Sequence, residues 1–157
     1  MAEYPWFPVF IDLSDRRALV VGAGKVAARR VATLTKFCAH VDVVGPRVDP
    51  TVEREVLAGR VTLYRRVFEP ADLDGRDVVI AATDDAAVNA AIAEACRKRG
   101  IPVNVSSDRT LCDFYFPGVA VDGDVAVGVT ASGRGHRRAK EVTNRIRAMI
   151  EGTGIRD

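Results

Sequence analysis

The sequence lacks the features that mark membrane-spanning and secreted proteins. No apolar run approaches the roughly 20 residues that a transmembrane helix needs. The N-terminal stretch MAEYPWFPVF has no basic segment ahead of an apolar one, so we expect no signal peptide. With 48% hydrophobic and 28% charged residues among 157, the composition predicts a folded cytoplasmic protein with no membrane partner.

Cysteine and histidine are scarce. The three cysteines, Cys38, Cys96 and Cys112, are far apart and form no CxxC pair, which is typical of reduced thiols in the cytoplasm. The two histidines, His40 and His136, have no cysteines or set of carboxylates near them in the sequence, so no metal site is predicted. No GxSxG, HExxH or P-loop pattern is present.

The basic residues are concentrated at the C-terminus. The whole chain has a net charge of +2, whereas residues 134–157 alone carry seven basic and three acidic side chains, a net charge of +4. Such a basic helix can face nucleic acid, a small multiply anionic ligand, or only solvent. No nucleic-acid-binding motif accompanies it, so we predict no nucleic-acid partner.

The stretch ALVVGAGKVAARRVATL, residues 18–34, is the most informative feature. It predicts a short strand, a turn containing Gly22 and Gly24, and a helix. Glycines there permit a tight turn and let backbone N–H groups approach a pyrophosphate, to which the helix N-terminus adds partial positive charge. Ala27 replaces the third glycine of the dinucleotide fingerprint and is still small enough for close packing. An ordinary glycine-rich turn is the alternative.

Apolar, β-branched runs alternate with helical patterns over the first 113 residues. This alternation predicts a Rossmann-like α/β domain, residues 1–113, with right-handed crossovers and a parallel sheet. The helix over 49–57 has Asp49 as its cap and Pro50 at its first position. The predicted strands are 17–21, 40–44, 61–66, 77–82 and 102–105, and the predicted helices are 25–36, 49–57 and 84–99.

Residues 114–157 follow a different pattern. They predict two antiparallel strands joined by Asp122-Gly123, followed by the basic helix. A hairpin and one helix cannot form an independent core, so we expect this segment to need the first domain or a second subunit. The hairpin also alternates five valines that would form an apolar association surface and favour a homodimer. They are Val119, Val121, Val125, Val127 and Val129.

Three loops, 22–26, 45–47 and 82–85, are predicted to line a crevice at the carboxyl ends of the strands. Many dinucleotide folds place an acidic residue after the second strand, where this chain has Gly45, Pro46 and Arg47. Arg47 either favours a 2′-phosphate or is a solvated charge. Thr83 or Asp84 is expected to cap the next helix, with or without a role in binding a cofactor.

The loop NVSSDRTLCDFYFP, residues 104–117, is rich in polar side chains and follows the fifth predicted strand. Asn104 and Ser107 are candidate contacts for the substrate. Asp108 is a candidate proton acceptor, and its alternative role is that of a turn or cap residue.

These motifs together resemble the precorrin-2 dehydrogenases of siroheme synthesis, which in several members form the N-terminal part of a siroheme synthase. The resemblance runs from Tyr4 to Ile150 and rests on FPVFIDL before the glycine-rich strand, the ATDD loop, NVxxDxxLCDFYFP and VxVTASG, in that order. It implies oxidation of precorrin-2 to sirohydrochlorin with NAD, and nucleotide contacts at Lys25, Val26, Pro46 and Arg47.

Two departures from the pattern of the family bear on what the resemblance implies. The family commonly has an Asp, proposed as general base, where this chain has Ser107 with Asp108 next to it. Many members also continue into a further helical region beyond the position of Asp157. We therefore expect NAD binding, predict Asp108 as the proton acceptor, and leave metal insertion open.

The basic helix then has an expected role. A cluster of Arg134, Arg137, Arg138 and Lys140, with His136 among them, suits a tetrapyrrole bearing eight carboxylates. The alternative function is a regulatory domain that senses NAD without catalysis. Such domains usually keep the acidic residue after the second strand.

Overall fold

Five parallel strands form one sheet in the computed structural model, which describes residues 6–132 and 135–153, with side chains up to residue 150. The order across the sheet is β3-β2-β1-β4-β5. Val20 in the central strand pairs with Val43 on one side and Ile80 on the other. The strands are β1 Arg17–Val21, β2 His40–Val44, β3 Val61–Tyr64, β4 Val78–Ala81 and β5 Val103–Val105.

Three helices connect these strands: α1 Lys25–Leu34, α2 Pro50–Leu57 and α3 Ala86–Arg99. The start of α2 confirms the prediction, since the Asp49 side chain accepts the Thr51 N–H at 2.8 Å and Pro50 is the first helical residue. Gly100 ends α3 with φ +68, a left-handed conformation that suits glycine. The Rossmann-like α/β fold is thereby confirmed.

The core packs α3 against one face of the sheet. Strands β1 and β4 have four consecutive buried residues each, as expected for strands covered on both faces. One apolar cluster joins alternate strand residues to buried residues of α3. It includes Leu19, Val21, Val79, Val103, Ile92 and Cys96.

A second unit contains residues 115–153 together with residues 6–10, and the sheet unit contains residues 11–114. The second unit has a hairpin, β6 Gly118–Asp122 and β7 Val125–Val129, and the helix α4 His136–Thr153. Gly118 packs so closely on α4 that an added Cβ would lie beside the Thr143 hydroxyl. The Trp6 and Tyr115 rings lie 4.0 Å apart between centroids.

The structure corrects several local expectations, among them the bounds of β4, which spans Val78–Ala81 rather than 77–82, and the start of β5 at Val103 rather than 102. The hairpin turn is Gly123-Asp124, because Asp122 pairs with Val125; Gly123 has φ +57 and takes the first turn position. Helix α3 starts at Ala86 rather than residue 84, β3 ends at Tyr64 rather than 66, and α1 ends at Leu34 rather than 36. In the described ranges, no helix is long and apolar enough to cross a membrane.

Candidate functional site

A crevice opens at the carboxyl ends of β1, β2, β4 and β5, all within the sheet unit. Its volume is about 660 Å³, within the range of small-molecule sites. Nine of the predicted site residues line it together: Gly22, Gly24, Lys25, Val26, Pro46, Arg47, Thr83, Asp84 and Ser107. Val67, Phe68 and Val88 line it as well and were not selected from the sequence, whereas Asp85 belongs to the predicted loop 82–85 and Ser106 to the polar loop 104–117.

Gly22 and Gly24 do different things in the turn after β1. Gly22 has φ +103, and an added Cβ would lie 2.4 Å from the Ala82 carbonyl oxygen, so no other residue fits there. Gly24 is the N-cap of α1 in extended conformation, with no atom within 4 Å of where a Cβ would be. Backbone can therefore reach a ligand at Gly24 with no side chain in the way.

The N-terminus of α1 suits an anionic group. No side chain caps this helix, and its first turn contains no acidic residue. Its free N–H groups and the positive end of its dipole lie at the crevice, beside Lys25. The residues present thus fit a pyrophosphate.

Gly45, the first residue after β2, cannot be replaced by an acidic residue in this packing. A Cβ at Gly45 would lie 2.8 Å from the Ala23 Cβ and 2.9 Å from the Ala23 nitrogen. The next loop is also tied to this turn, since the Asp49 N–H donates to the Ala23 carbonyl at 2.8 Å. The close approach of these loops explains the glycine in the sequence.

The loop after β4 places an acidic residue, Asp84, beside the loop after β2. Arg47, after β2, donates through Nη2 to Asp84 Oδ2 at 3.0 Å, and Asp84 follows β4. Both side chains are more than four-fifths exposed, at 86% and 84%, so this pair contributes little to stability. Arg47 therefore does not stand alone at the edge of the crevice.

Helix α3 is capped by Asp85, which corrects the expectation of Thr83 or Asp84. Asp85 Oδ1 accepts the N–H groups of Ala87 at 2.8 Å and Val88 at 3.1 Å. Thr83 is held differently, because its hydroxyl lies 2.7 Å from Asn89 Oδ1 and 3.0 Å from the Asp85 carbonyl oxygen.

Asn89 is a further residue of the site that sequence reasoning missed. Its side chain is completely buried and bonds to Thr83 and to Ser107, joining the loops after β4 and β5. A polar residue within an otherwise Ala-rich helix, four positions after the cap, was the available signal.

Asn104 and Asp108, both described, are not among the residues that line the crevice. Asn104 is buried in β5; its Nδ2 donates to the Phe114 carbonyl at 2.9 Å, and its Oδ1 has no partner in the described structure. Asp108 is exposed and caps the short 3₁₀ helix Arg109–Leu111. Hydrogen bonds from the Thr110 hydroxyl and then its backbone N–H lower the pKa of Asp108.

The basic cluster belongs to the second unit. His136, Arg137 and Arg138 form the first turn of α4 and are exposed, whereas Arg134 lies outside the described residues. Their role in binding substrate stays a prediction. Within the described part of the chain, no group of three His, Cys, Asp or Glu side chains could hold a metal ion.

The chain is similar to several siroheme synthases. It is 42% identical to the siroheme synthase of Methylobacillus flagellatus over 146 residues, which is 93% of this chain and 31% of that protein. It is 39% identical to that of Methylococcus capsulatus over 145 residues, 92% of this chain and 31% of that protein. This chain thus spans less than a third of the length of these relatives.

A solved structure and a family model also match. The structure of SirC, precorrin-2 dehydrogenase, superposes with a TM-score of 0.72 at 24% identity, covering 92% of this chain and 71% of that one; this likeness shows a shared fold. The family model matches residues 9–118, which include every loop of the crevice. The chain belongs to the family NAD_binding_7, whose description is "Putative NAD(P)-binding".

Proposed function

We propose that this chain oxidises precorrin-2 to sirohydrochlorin, with NAD accepting the hydride. The observation that carries the proposal is the crevice, whose open turn at Gly24 and uncapped helix α1 fit a pyrophosphate. The similarity to siroheme synthases over more than nine-tenths of the chain supports the choice of substrate. The proposal is limited to the dehydrogenation.

The residues of the crevice would share the binding of the nucleotide. The N–H groups of the first turn of α1, with Lys25 and Val26, would hold the phosphates. Pro46 and Arg47, at the end of β2, would contact the adenosine half. Thr83 and Ser107, after β4 and β5, would lie at the other end of the dinucleotide.

The reaction removes one hydride and one proton from the macrocycle. Bound NAD supplies the electrophilic carbon that takes the hydride. The proton needs an acceptor, and Asp108 stays our prediction for it. Its lowered pKa keeps the carboxylate ionised and ready to accept a proton, although a low pKa makes it a weaker base.

The substrate would be held through its carboxylates. We assign this to the basic cluster Arg134, His136, Arg137 and Arg138, because guanidinium groups bind carboxylates with paired hydrogen bonds. Asn104 is a candidate for a different kind of contact, because its buried Oδ1 has no partner in the described structure and, as an acceptor, could bond only to an N–H or O–H donor of the substrate and not to a carboxylate.

The direct test is incubation of the full chain with precorrin-2 and NAD. We expect sirohydrochlorin absorbance and NADH to appear in equal amounts, and neither to appear without NAD. Binding of NAD with no conversion of precorrin-2 would instead favour the NAD-sensing regulatory domain and contradict the proposal.

A homodimer built by the second unit is part of the proposal. In the described residues this unit buries a single apolar residue, Ala120, and leaves Val125 55% exposed. The other hairpin valines are only partly buried, so their apolar surface would gain most from pairing with a second copy. A monomeric mass by light scattering at micromolar concentration would contradict this.

The cytoplasm is the compartment that we propose. All three cysteines are free thiols, with Cys38 and Cys96 buried and Cys112 partly buried. Burial raises the pKa of Cys96 to about 11, which keeps it in the unreactive thiol form.

A further inference from the structure

The buried Asn89 amide has only one possible orientation. Its Oδ1 lies 3.1 Å from the Thr83 backbone nitrogen and 2.7 Å from the Thr83 hydroxyl. Because a backbone N–H can only donate, the atom facing it must be the amide oxygen. The Nδ2 group must therefore point the other way.

Both protons of Nδ2 are used. One goes to the Thr83 carbonyl oxygen at 3.1 Å and the other to Ser107 Oγ at 3.1 Å. Since Ser107 accepts this bond, its own hydroxyl proton must point away from Asn89. Ser107 is exposed and lines the crevice, so its proton is available to a ligand there.

Thr83 cannot offer the same proton. Its hydroxyl has one hydrogen, with Asn89 Oδ1 and the Asp85 carbonyl oxygen both within reach. Of the two hydroxyls tied to Asn89, only that of Ser107 is left to donate into the crevice.

The position of Ser107 selects which part of a dinucleotide it would meet. Phosphates lie at the turn after β1, and the adenosine ribose lies at the end of the second strand. With the order β3-β2-β1-β4-β5, the remaining end of the ligand falls towards β4 and β5. That end is the nicotinamide, whose carboxamide has a carbonyl oxygen that accepts hydrogen bonds.

We propose that Asn89 is a positioning residue that orients the Ser107 hydroxyl as a hydrogen-bond donor to the nicotinamide carboxamide. This inference rests on the proposed NAD binding and adds two roles to it. Ser107 contacts the ligand, and Asn89 acts through Ser107. The pair serves as a donor and does not take part in proton removal.

The test compares NAD with ADP-ribose, which has the same phosphates and riboses but no nicotinamide. Calorimetric titration of the full chain should show that Ser107→Ala weakens NAD binding about 3- to 10-fold, the usual scale for one hydrogen bond, with ADP-ribose binding unchanged. Ser107→Thr keeps a hydroxyl and should restore NAD affinity. Ser14→Ala is the matched control, since Ser14 is an exposed serine of the sheet unit that is not among the residues lining the crevice, and it should change neither affinity.

A double-mutant cycle tests the role of Asn89. Asn89→Ala should lower the NAD to ADP-ribose affinity ratio as Ser107→Ala does, and the double variant should lower it no further. If Asn89→Ala does not fold, Asn89→Asp keeps the acceptor for Thr83 and removes the donor, and the same loss is expected.

The outcomes separate the two proposals. If wild-type protein binds neither nucleotide, the proposed function fails and this inference with it. If both nucleotides bind and Ser107→Ala weakens them equally or not at all, this inference alone is overturned. A further loss in the double variant would show that Asn89 does not act through Ser107.

Discussion

The two units of this molecule differ in how they are stabilised. In the described structure, every buried apolar residue except Ala120 lies in the sheet unit, residues 11–114. The unit of residues 6–10 and 115–153 has a hairpin and a helix whose apolar side chains are mostly half-exposed. The sheet unit therefore has an apolar core of its own, whereas the apolar side chains of the second unit remain largely at its surface.

Because of this difference, we expect the two units to have different functional roles. The sheet unit holds its crevice loops rigidly, through Gly22 against Ala82 and Asn89 between two loops. The second unit has the exposed basic turn of α4 and the exposed valine Val125. We therefore expect changes in the sheet unit to affect stability, nucleotide binding and kcat, and changes in the second unit to affect association and substrate KM.

The largest effect should come from breaking a buried ion pair of the sheet unit. Arg76 Nη1 lies 2.5 Å from Asp42 Oδ2, with only 9% and 11% of the two side chains exposed. Arg76→Ala leaves the Asp42 charge buried and unpaired, so the free energy of unfolding should fall by about 3–5 kcal/mol. Chemical denaturation measures it. Arg16→Ala breaks the far more exposed pair with Asp77 and is the control, for which we expect little change.

The next effect concerns kcat. Asp108→Asn should lower kcat about 10²-fold, the usual scale for losing a general base, with NAD affinity retained. Asn also caps helices well, so the 3₁₀ turn that Asp108 caps should persist. A kcat within a factor of a few of wild type would leave Asp108 as a cap residue only.

The pH dependence of kcat is a second test of the role of Asp108. Hydrogen bonds from Thr110 lower the pKa of Asp108, so a rate that needs its carboxylate should fall only below the ordinary pKa of an aspartate. Thr110→Ala removes the hydroxyl, the largest cause of the shift. The acid limb of kcat should then move to higher pH, and an unmoved limb would assign proton removal to another group.

A smaller effect is expected from the second unit. Replacing Arg137 and Arg138 by Gln should raise the KM for precorrin-2 about tenfold, because hydrogen bonds between charged groups are lost. NAD affinity should not change, since the nucleotide crevice lies within the sheet unit. An unchanged KM would indicate that these arginines form a solvated helix face.

The smallest effect should be on the choice between NAD and NADP. The Asp84 carboxylate lies 3.0 Å from Arg47 and would repel a 2′-phosphate bound there. Asp84→Asn should therefore raise NADP affinity relative to NAD about fivefold or less, because exposed charge pairs are weak. If the ratio of NADP to NAD affinity is the same in Asp84→Asn as in the wild type, Asp84 plays no part in the choice of cofactor.

Much of the sheet unit was predictable because its signals are local. The bounds of β1, β2 and α2 follow from apolar runs, Asp49 and Pro50. The parallel order brings four separate loops to one edge, those after β1, β2, β4 and β5, so nine predicted residues meet in the crevice.

Other features could not be predicted because several residues can take the same role, or because the partners lie far apart in the sequence. Thr83, Asp84 and Asp85 can each cap a helix, and only the geometry of the turn selects Asp85. Asn89 is buried because Thr83 and Ser107 satisfy its amide, a partnership between residues up to 18 positions apart. Asp108 as a cap was one of two readings that the sequence left open.

The central claim is that the turn after β1 holds the nucleotide, and Gly24→Val tests it most directly. Its extended backbone, φ −79 and ψ −171, and the open space beside it accept a branched residue without strain. Calorimetry with NAD, alongside chemical denaturation, should show affinity lowered tenfold or more, on the order of 1.4 kcal/mol, with the free energy of unfolding unchanged. Wild-type NAD affinity in a folded Gly24→Val protein would contradict the account.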